Sequence, residues 1–509
     1  MVQFHRNHIP RKGGENAKND MTHHDLDFAI FSYCKRTKPK LLSFVFLTIL
    51  CSFFVLAPLF LGSFSFCLFY SIETEHHRPM NDGVDVNASF LSSSISSSDS
   101  NETELHRPMD EGVHANASFL SSSVSSTGDI RTHSASSSVF LYLPSTTTHQ
   151  EEERHEKIKP YTRKWETGVM NKIQELNLIS KTTNLGTDTQ KHNCDVHHHD
   201  VPAVFFSNGG YTGNVYHEFN DGIIPLYITS QHFNKRVIFV ILEYHNWWMM
   251  KYRDVLSQLT DFPLIDFNTD NRTHCFSQAT IGLTIHDELT VNPTLMTNKG
   301  HQNKTIQDFR SLLNSAYSPR IKNLMTKETK RVINKRKKPK MVVISRTGSR
   351  SVRNENAMVK KAEEMGFEVE VMRPNRRTEM SKIYRTLNES DVMVGVHGAA
   401  MTHFLFMRPG RVFLQVVPLG TTWAAETYYG EPARKMGLKY IGYEIGARES
   451  SLWEKYDRED PVLRDPNSIN KKGWEYTKRI YLENQNVTLD LRRFQRSLRQ
   501  AYQYCLLDR

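Results

Sequence analysis

The sequence predicts an α/β protein in which two facing domains, each a sheet covered by helices, follow a single membrane-spanning helix and a low-complexity stem. Three observations predict it. Leu41 to Tyr70 carries no charged side chain, residues 71–150 are rich in Ser, Thr, Asn and His, and from Met341 onward apolar strand-like runs alternate with amphipathic stretches. At 509 residues the chain exceeds one ordinary core, so two domains with accessory segments are expected. The expected division is a cytosolic tail over 1–40, an anchor over 41–65, a stem over 66–160, α/β domains over 161–330 and 331–460, and a helical segment over 461–509.

A helix of about 20 apolar residues crosses a bilayer, and the uncharged run is long enough. Lys35, Arg36, Lys38 and Lys40 crowd its amino side while Glu73 and Glu75 follow it, so the charge bias keeps the N-terminus cytosolic and the rest luminal. About 40 residues precede the run and no small-residue cleavage site follows it, which favours an anchor over a cleaved signal peptide. Glycosylation sequons begin at Asn87, Asn101, Asn116, Asn271, Asn303, Asn388 and Asn486, all on the luminal side. Of the cysteines, Cys194, Cys275 and Cys505 would meet an oxidising compartment, which allows one disulfide of unreadable pairing.

The stem holds a direct repeat, Thr103–Ser123 (TELHRPMDEGVHANASFLSSS) copying Thr74–Ser94 (TEHHRPMNDGVDVNASFLSSS). Two copies make a duplicated spacer, since stacked repeats need at least three. The formal charge of +10 suits an acidic partner. No zinc-type Cys/His spacing or aromatic RNA-binding signature accompanies it, so no nucleic acid is expected.

The basic stretch Lys330–Lys340 marks a domain boundary. After it come the strand MVVIS, a helix with Met358, Ala362 and Met365 on one face, the strand FEVEVM, and a helix capped by Thr378 that buries Met380, Ile383, Tyr384 and Leu387. The strands DVMVGV and RVFLQVV follow, with another helix between them. Right-handed crossovers make this a parallel, Rossmann-like sheet. Residues 201–317 repeat the style less cleanly, with strands AVFFS and VIFVILE around a helical stretch through Tyr216 to Ser230. Two such domains leave a cleft at the carboxyl ends of their strands, and the last fifty residues are expected to be helical and to cross back over it.

In GVHGAAMTHFLFMRPG a strand runs into a helix through His397, Gly398, Ala399 and Ala400, whose small side chains let a ligand reach the backbone; amides and a helix start there favour an anion such as pyrophosphate. Arg346 ends a strand, and Arg350 lies in the loop beyond it, where guanidiniums clamp phosphate oxygens. Glu426 could accept hydrogen bonds from ribose hydroxyls. In YHEFND, His217, Glu218 and Asp221 open a helix; Glu218 and Asp221 share a face, and either could be a general base or simply a favourable first-turn acid. Tyr211, Trp247 and Trp248 are candidate platforms for sugar rings. The sole Asp-x-Asp triplet, Asp25 to Asp27, lies on the cytosolic side, and His197, His198 and His199 cannot easily face one ion, so no divalent metal is expected. Leaving-group charge then falls on arginines and a helix terminus.

The blocks SNGGYTGNVYHEFNDGIIPLY, VVISR, DVMVGVHGAAMTHFLFMRPG and QVVPLGTTWAAETYYGEPARKMGLKY resemble glycosyltransferase family 61, most closely its plant xylan arabinosyltransferases and β-1,2-xylosyltransferases. The resemblance runs from about Tyr161 to the C-terminus. It implies a GT-B architecture of two Rossmann-like domains, a UDP-sugar donor, inversion at the anomeric carbon and a type II Golgi membrane topology. It implies Arg346, His397 and Gly398 at the nucleotide site, and favours Asp221 over Glu218 as base. The resulting expectation is transfer of xylose, or arabinofuranose, from its UDP donor to the β-1,4-xylan backbone for the cell wall. No cofactor is expected, and the expected partners are the UDP-pentose, the xylan acceptor, the Golgi membrane and other Golgi glycosyltransferases. The alternatives are a protein O-linked N-acetylglucosaminyltransferase of the same family and a non-catalytic glycan-binding member of a Golgi complex.

Overall fold

The computed structural model describes residues 123–144, 153–183, 192–296, 303–329 and 338–507. The tail, the 41–65 segment and most of the repeated segment lie outside the described residues, and among those described no helix is long and apolar enough to cross a membrane.

The first sheet contains β1 (Val124–His133), β2 (Ser138–Pro144), β3 (Arg154–Ile158), β4 (Leu176–Thr183), β5 (Val196–His198), β6 (Ala203–Ser207), β7 (Ile238–Leu242), β8 (Ile265–Asp266) and β9 (His274–Ile281). Their order is β3-β4-β2-β1-β9-β6-β7-β8, with β5 also paired to β9. Strands β9, β6, β7 and β8 are mutually parallel. β6 and β7 are buried at every position, which is why AVFFS and IFVIL read as unbroken apolar runs. The other flank includes antiparallel pairs, so this domain is a mixed sheet with a parallel half.

One boundary moves. The stem expected to reach residue 160 gives way earlier, because β1, β2 and β3 all join the first sheet. β1 buries little beyond Ile130 and Thr132, and its Ser- and Thr-rich remainder imitates spacer composition; β2 brings Val139, Phe140 and Tyr142 to the core. Cys194 is bonded to Cys275 of β9, and Cys505 is buried on the last helix. The three histidines lie at β5, where strand alternation sends His198 to His274 (2.9 Å) while His197 and His199 stack together.

The second sheet is wholly parallel: β10 (Lys340–Ile344), β11 (Glu368–Met372), β12 (Val392–Val396), β13 (Val412–Val417) and β14 (Lys439–Glu444), in the order β11-β10-β12-β13-β14. Strand alternation sends Val342 and Ile344 to one core and Met341 and Val343 to the other. From β10 the chain builds outward in one direction to β11 and in the other from β12, so the switch point lies between β10 and β12. Open α/β sheets bind ligands outside the carboxyl ends of such strands.

Three local expectations differ. Helix Met380–Asn388 buries Met380, Ile383, Tyr384 and Leu387 as expected, but Thr378 does not cap it; its hydroxyl turns back to Asn375. The segment Ala399–Phe406 after β12 is a 3-10 helix. Helix Leu491–Leu507 packs Phe494, Leu498 and Ala501 onto the second sheet's own outer core.

A shared core ties the domains together. Phe219 and Tyr227 meet Phe309 of helix Ile306–Thr329, and that helix's Tyr317 meets Tyr384 and Phe406 of the second domain. Arg310 donates to the carbonyls of Met407 (2.8 Å) and Phe406 (3.0 Å), closing a buried polar seam. Sequon residue Asn388 also accepts from Arg310, whereas Asn271 and Asn303 are exposed.

Candidate active site

The first half of the site grows from the loop SNGGYTG. Gly210 sits at φ +65, where a Cβ would lie 2.6 Å from the Tyr161 ring, so only glycine fits without strain. Asn214 then caps the following helix by accepting from the Tyr216 N–H at 3.1 Å. That stretch is α-helical over Val215–His217, widens to a π turn over Glu218–Ile223 and resumes as α over Ile224–Ser230. Such π turns are frequent at functional sites.

The π turn buries Asp221, whose side chain is 1% exposed. Oδ2 accepts from Tyr161 (2.9 Å), Arg163 Nε (2.9 Å) and His217 Nδ1 (2.7 Å), and Oδ1 accepts from Asn220 (2.9 Å). Burial alone would raise this carboxyl, but the His217 hydrogen bond and the Arg163 charge outweigh it and hold the group below its ordinary range. Arg163, lowered by burial but raised more by Asp221, Glu288 and Glu166, stays charged.

This corrects the expectation that Asp221 itself meets an acceptor. Both oxygens are occupied and sealed from solvent, so the carboxylate presents no open face to an acceptor. Glu218 is committed too: it accepts from the Gly213 N–H (3.1 Å) and the Tyr252 hydroxyl, pinning the loop to helix Asn246–Leu256. His217 is the member of the trio that reaches solvent, at 17% side-chain exposure. With Nδ1 turned to Asp221, its Nε2 has no protein partner among the described residues. Tyr211 stacks on its ring at 4.2 Å, and Tyr216 meets it edge-on at 5.1 Å.

The second half lies at the switch point. Arg346 follows β10 and Arg350 follows one short loop later, at φ +60, a left-handed backbone that costs roughly 1–2 kcal/mol for a residue with a Cβ. Both guanidiniums donate to the His397 carbonyl, at 3.3 and 3.1 Å. Neither has a carboxylate within ion-pair distance among the described residues, and both Nε atoms are shielded from solvent with no partner. Burial lowers both from the ordinary arginine value, Arg350 to about 10 with help from the neighbouring Arg346 charge.

Gly398 lies against both guanidiniums. A Cβ there would lie 2.5 Å from Arg346 Nη1 and 3.1 Å from Arg350 Nη1, so the missing side chain makes room for the guanidiniums themselves. Ala399 and Ala400 pack against the shared core, and the first amides of their 3-10 turn have no acceptor within it. His397 is buried; burial and the two arginine charges push its imidazole down to about 3, so it is neutral. Gln415 contacts its Nδ1 at 2.9 Å while accepting from Tyr440 at 2.8 Å, an arrangement that leaves Nε2 as the protonated nitrogen. Glu426 is directed elsewhere, to an ion pair with Arg434.

Aromatic rings join the halves. Tyr429 lies edge-on to His397 at 5.3 Å and to Tyr216 at 5.9 Å. Of the expected platforms Trp248 is a core residue at 2% exposure, while Trp247 and Tyr211 are exposed. Sequence reasoning missed Tyr161, Arg163, Gln415 and Tyr429. Gln415 was visible as the single polar residue inside VFLQVV, but no local signal ties Arg163 to a carboxylate 58 positions away.

Comparison with known proteins places this geometry. The model of glycosyltransferase family 61 matches residues 216–414, which hold His217, Asp221, Arg346, Arg350 and His397. A xylan glycosyltransferase of Arabidopsis thaliana is 54% identical over 475 residues, 92% of each chain. A β-1,2-xylosyltransferase of Oryza sativa subsp. japonica is 38% identical over 74% of this chain and 80% of its own length. An α-1,3-arabinosyltransferase of the same rice is 35% identical, over 74% of this chain and 62% of the relative. With a family match over both halves of the site and a relative alike along nearly its whole length, the chain belongs to glycosyltransferase family 61.

Proposed function

We propose that the chain is an inverting, UDP-sugar-dependent transferase of GT-B architecture that moves xylose, or arabinofuranose, onto a hydroxyl of the β-1,4-xylan backbone. It acts in the Golgi lumen behind an N-terminal signal anchor. The observation that carries the reading is the Arg346–Arg350 pair, two shielded cations at a switch point with no carboxylate within ion-pair distance among the described residues. Withdrawing each from water costs on the order of several kcal/mol, which a diphosphate between them would offset. Support for a xylan acceptor and a pentose donor comes from the relatives, a xylan glycosyltransferase, an α-1,3-arabinosyltransferase and a β-1,2-xylosyltransferase.

In this mechanism the acceptor hydroxyl gives its proton to His217 Nε2 as its oxygen attacks the anomeric carbon. Asp221, kept ionised by Arg163, holds the ring and stabilises the imidazolium that forms. The bond to UDP breaks on the opposite face, its electron pair passing to a diphosphate oxygen. Arg346 and Arg350 stabilise that charge, and the neutral His397 adds an N–H donor without adding a cation. No divalent metal is invoked.

The test is product analysis. The full chain is incubated with xylo-oligosaccharide and, separately, UDP-xylose, UDP-arabinofuranose and UDP-N-acetylglucosamine. One pentose donor should yield a single-pentose mass increment on a backbone hydroxyl, with inverted anomeric configuration by NMR. Transfer from UDP-N-acetylglucosamine alone, or a retained configuration, would refute the reading.

A further inference from the structure

We infer that Trp165 and Tyr211 form a subsite for the acceptor polysaccharide, holding unreacted sugars of a neutral β-1,4-linked chain beside the residue whose hydroxyl faces His217. The inference rests on the reading of His217 as the acceptor-side base.

Trp165 is 59% exposed, more than any other tryptophan, tyrosine or phenylalanine among the described residues, and Tyr211 is 39% exposed. Both rings are nevertheless fixed. Tyr211 stacks on His217, and its hydroxyl donates to Glu166 Oε2 at 2.8 Å. Glu166 is bound by Arg163, the residue that anchors Asp221, and the Arg163 guanidinium lies 5.6 Å from the Trp165 ring centroid. One arginine therefore positions the carboxylate behind the base, the partner of the tyrosine and the tryptophan. Large apolar faces braced by neighbours yet open to water are binding surfaces by default, because covering them is favourable and less rotamer freedom remains to be lost.

The charge around the rings selects the occupant. Arg163 is surrounded by Asp221, Glu166 and Glu288. The adjacent Lys159 and Lys164 turn their ammonium groups to the main-chain carbonyls of Met170 and Lys159. Arg163, Lys159 and Lys164 balance these three carboxylates and each is already engaged, so among the described residues the patch has no spare cation for a phosphate-bearing ligand; the arginine pair that offers one lies on the second domain, beyond Tyr216 and Tyr429. A neutral polyhydroxylated chain fits: the C–H faces of its rings cover the aromatics, and its hydroxyls can donate to Glu166.

Calorimetric titration of xylohexaose and of xylobiose into the full-length wild type, Trp165→Ala and Trp165→Phe tests this without requiring turnover, with UDP affinity as the control for folding. Trp165→Ala should weaken xylohexaose binding by about ten-fold, the size of one stacking contact. Xylobiose binding should change far less, Trp165→Phe should recover most of the loss, and UDP affinity should hold. Absent xylohexaose binding in the wild type, or equal affinity in wild type and Trp165→Ala, would overturn the subsite. Loss of binding in Trp165→Ala without pentose transfer by the wild type would uphold the subsite while refuting the proposed reaction.

Discussion

His217 Nδ1 and Asp221 Oδ2 meet at 2.7 Å across one helical turn, with the carboxylate sealed from solvent and the imidazole open to it. In the proposed mechanism that asymmetry separates two roles that the sequence motif leaves mixed: the outer residue would exchange a proton, and the inner one would fix its orientation and charge.

His217→Asn should therefore lower kcat by roughly 10²–10⁴-fold while leaving UDP affinity and unfolding free energy close to wild type. Asp221→Asn should lower kcat as well, and also destabilise the fold by about 1–3 kcal/mol, because Arg163 keeps Glu166 and Glu288 but loses the charge-assisted bonds to its most buried carboxylate. Rapid-quench kinetics with urea unfolding separates the two; an Asp221→Asn protein as stable as wild type would contradict the assignment.

Glu218→Ala should act on stability first. It removes the acceptor for the Gly213 N–H and the Tyr252 hydroxyl, a loss of about 1–3 kcal/mol for buried groups left unsatisfied. Urea unfolding should reveal this loss, and the kcat decrease should be much smaller than in His217→Asn.

His397 makes stability depend on pH. Its folded value of about 3 lies below the ordinary 6.5, so between those limits the unfolded chain binds the extra proton. The stabilisation is full above about pH 6.5 and falls as the pH drops through that window, by at most about 1.4 kcal/mol per unit for this group. His403, buried and lowered to about 4, adds to the slope. Unfolding free energies at pH 7, 6 and 5 should decline, and His397→Gln should reduce the decline. Asp221, depressed below its ordinary 3.8, contributes acid lability only at lower pH.

Cys194 and Cys275 close a loop with a sequence separation of 81, so Cys194→Ser should lower unfolding free energy by about 2–5 kcal/mol. A reductant should shift the wild type likewise and leave the variant unchanged. Equal unfolding midpoints with and without reductant would contradict the bond's contribution.

The inner strands of the second sheet were readable because they are covered on both faces and so appear as apolar runs flanked by breakers, as at Val392–Val396 and Val412–Val417, whereas the edge strand Lys439–Glu444 (KYIGYE), exposed at alternate positions, was not named. β1 escaped notice for the opposite reason: it lies where few side chains are buried, and VSSTGDIRTH carries almost no pattern to detect. At the site, residues adjacent to strand ends or to a helix start could be named because local chemistry marks them. Their partners could not. Whether a motif carboxylate is free or sealed depends on Tyr161 and Arg163, which only the folded sheet brings to it.

The most direct measurement is the calorimetric titration of UDP into the full chain, Arg346→Ala and Arg350→Ala. Binding by the wild type, weakened about 10–100-fold in each variant, is the predicted result, matching the loss of one charge-assisted contact to phosphate. No binding by the wild type, or an unchanged affinity in both variants, would contradict the claim that these two cations hold the donor's diphosphate.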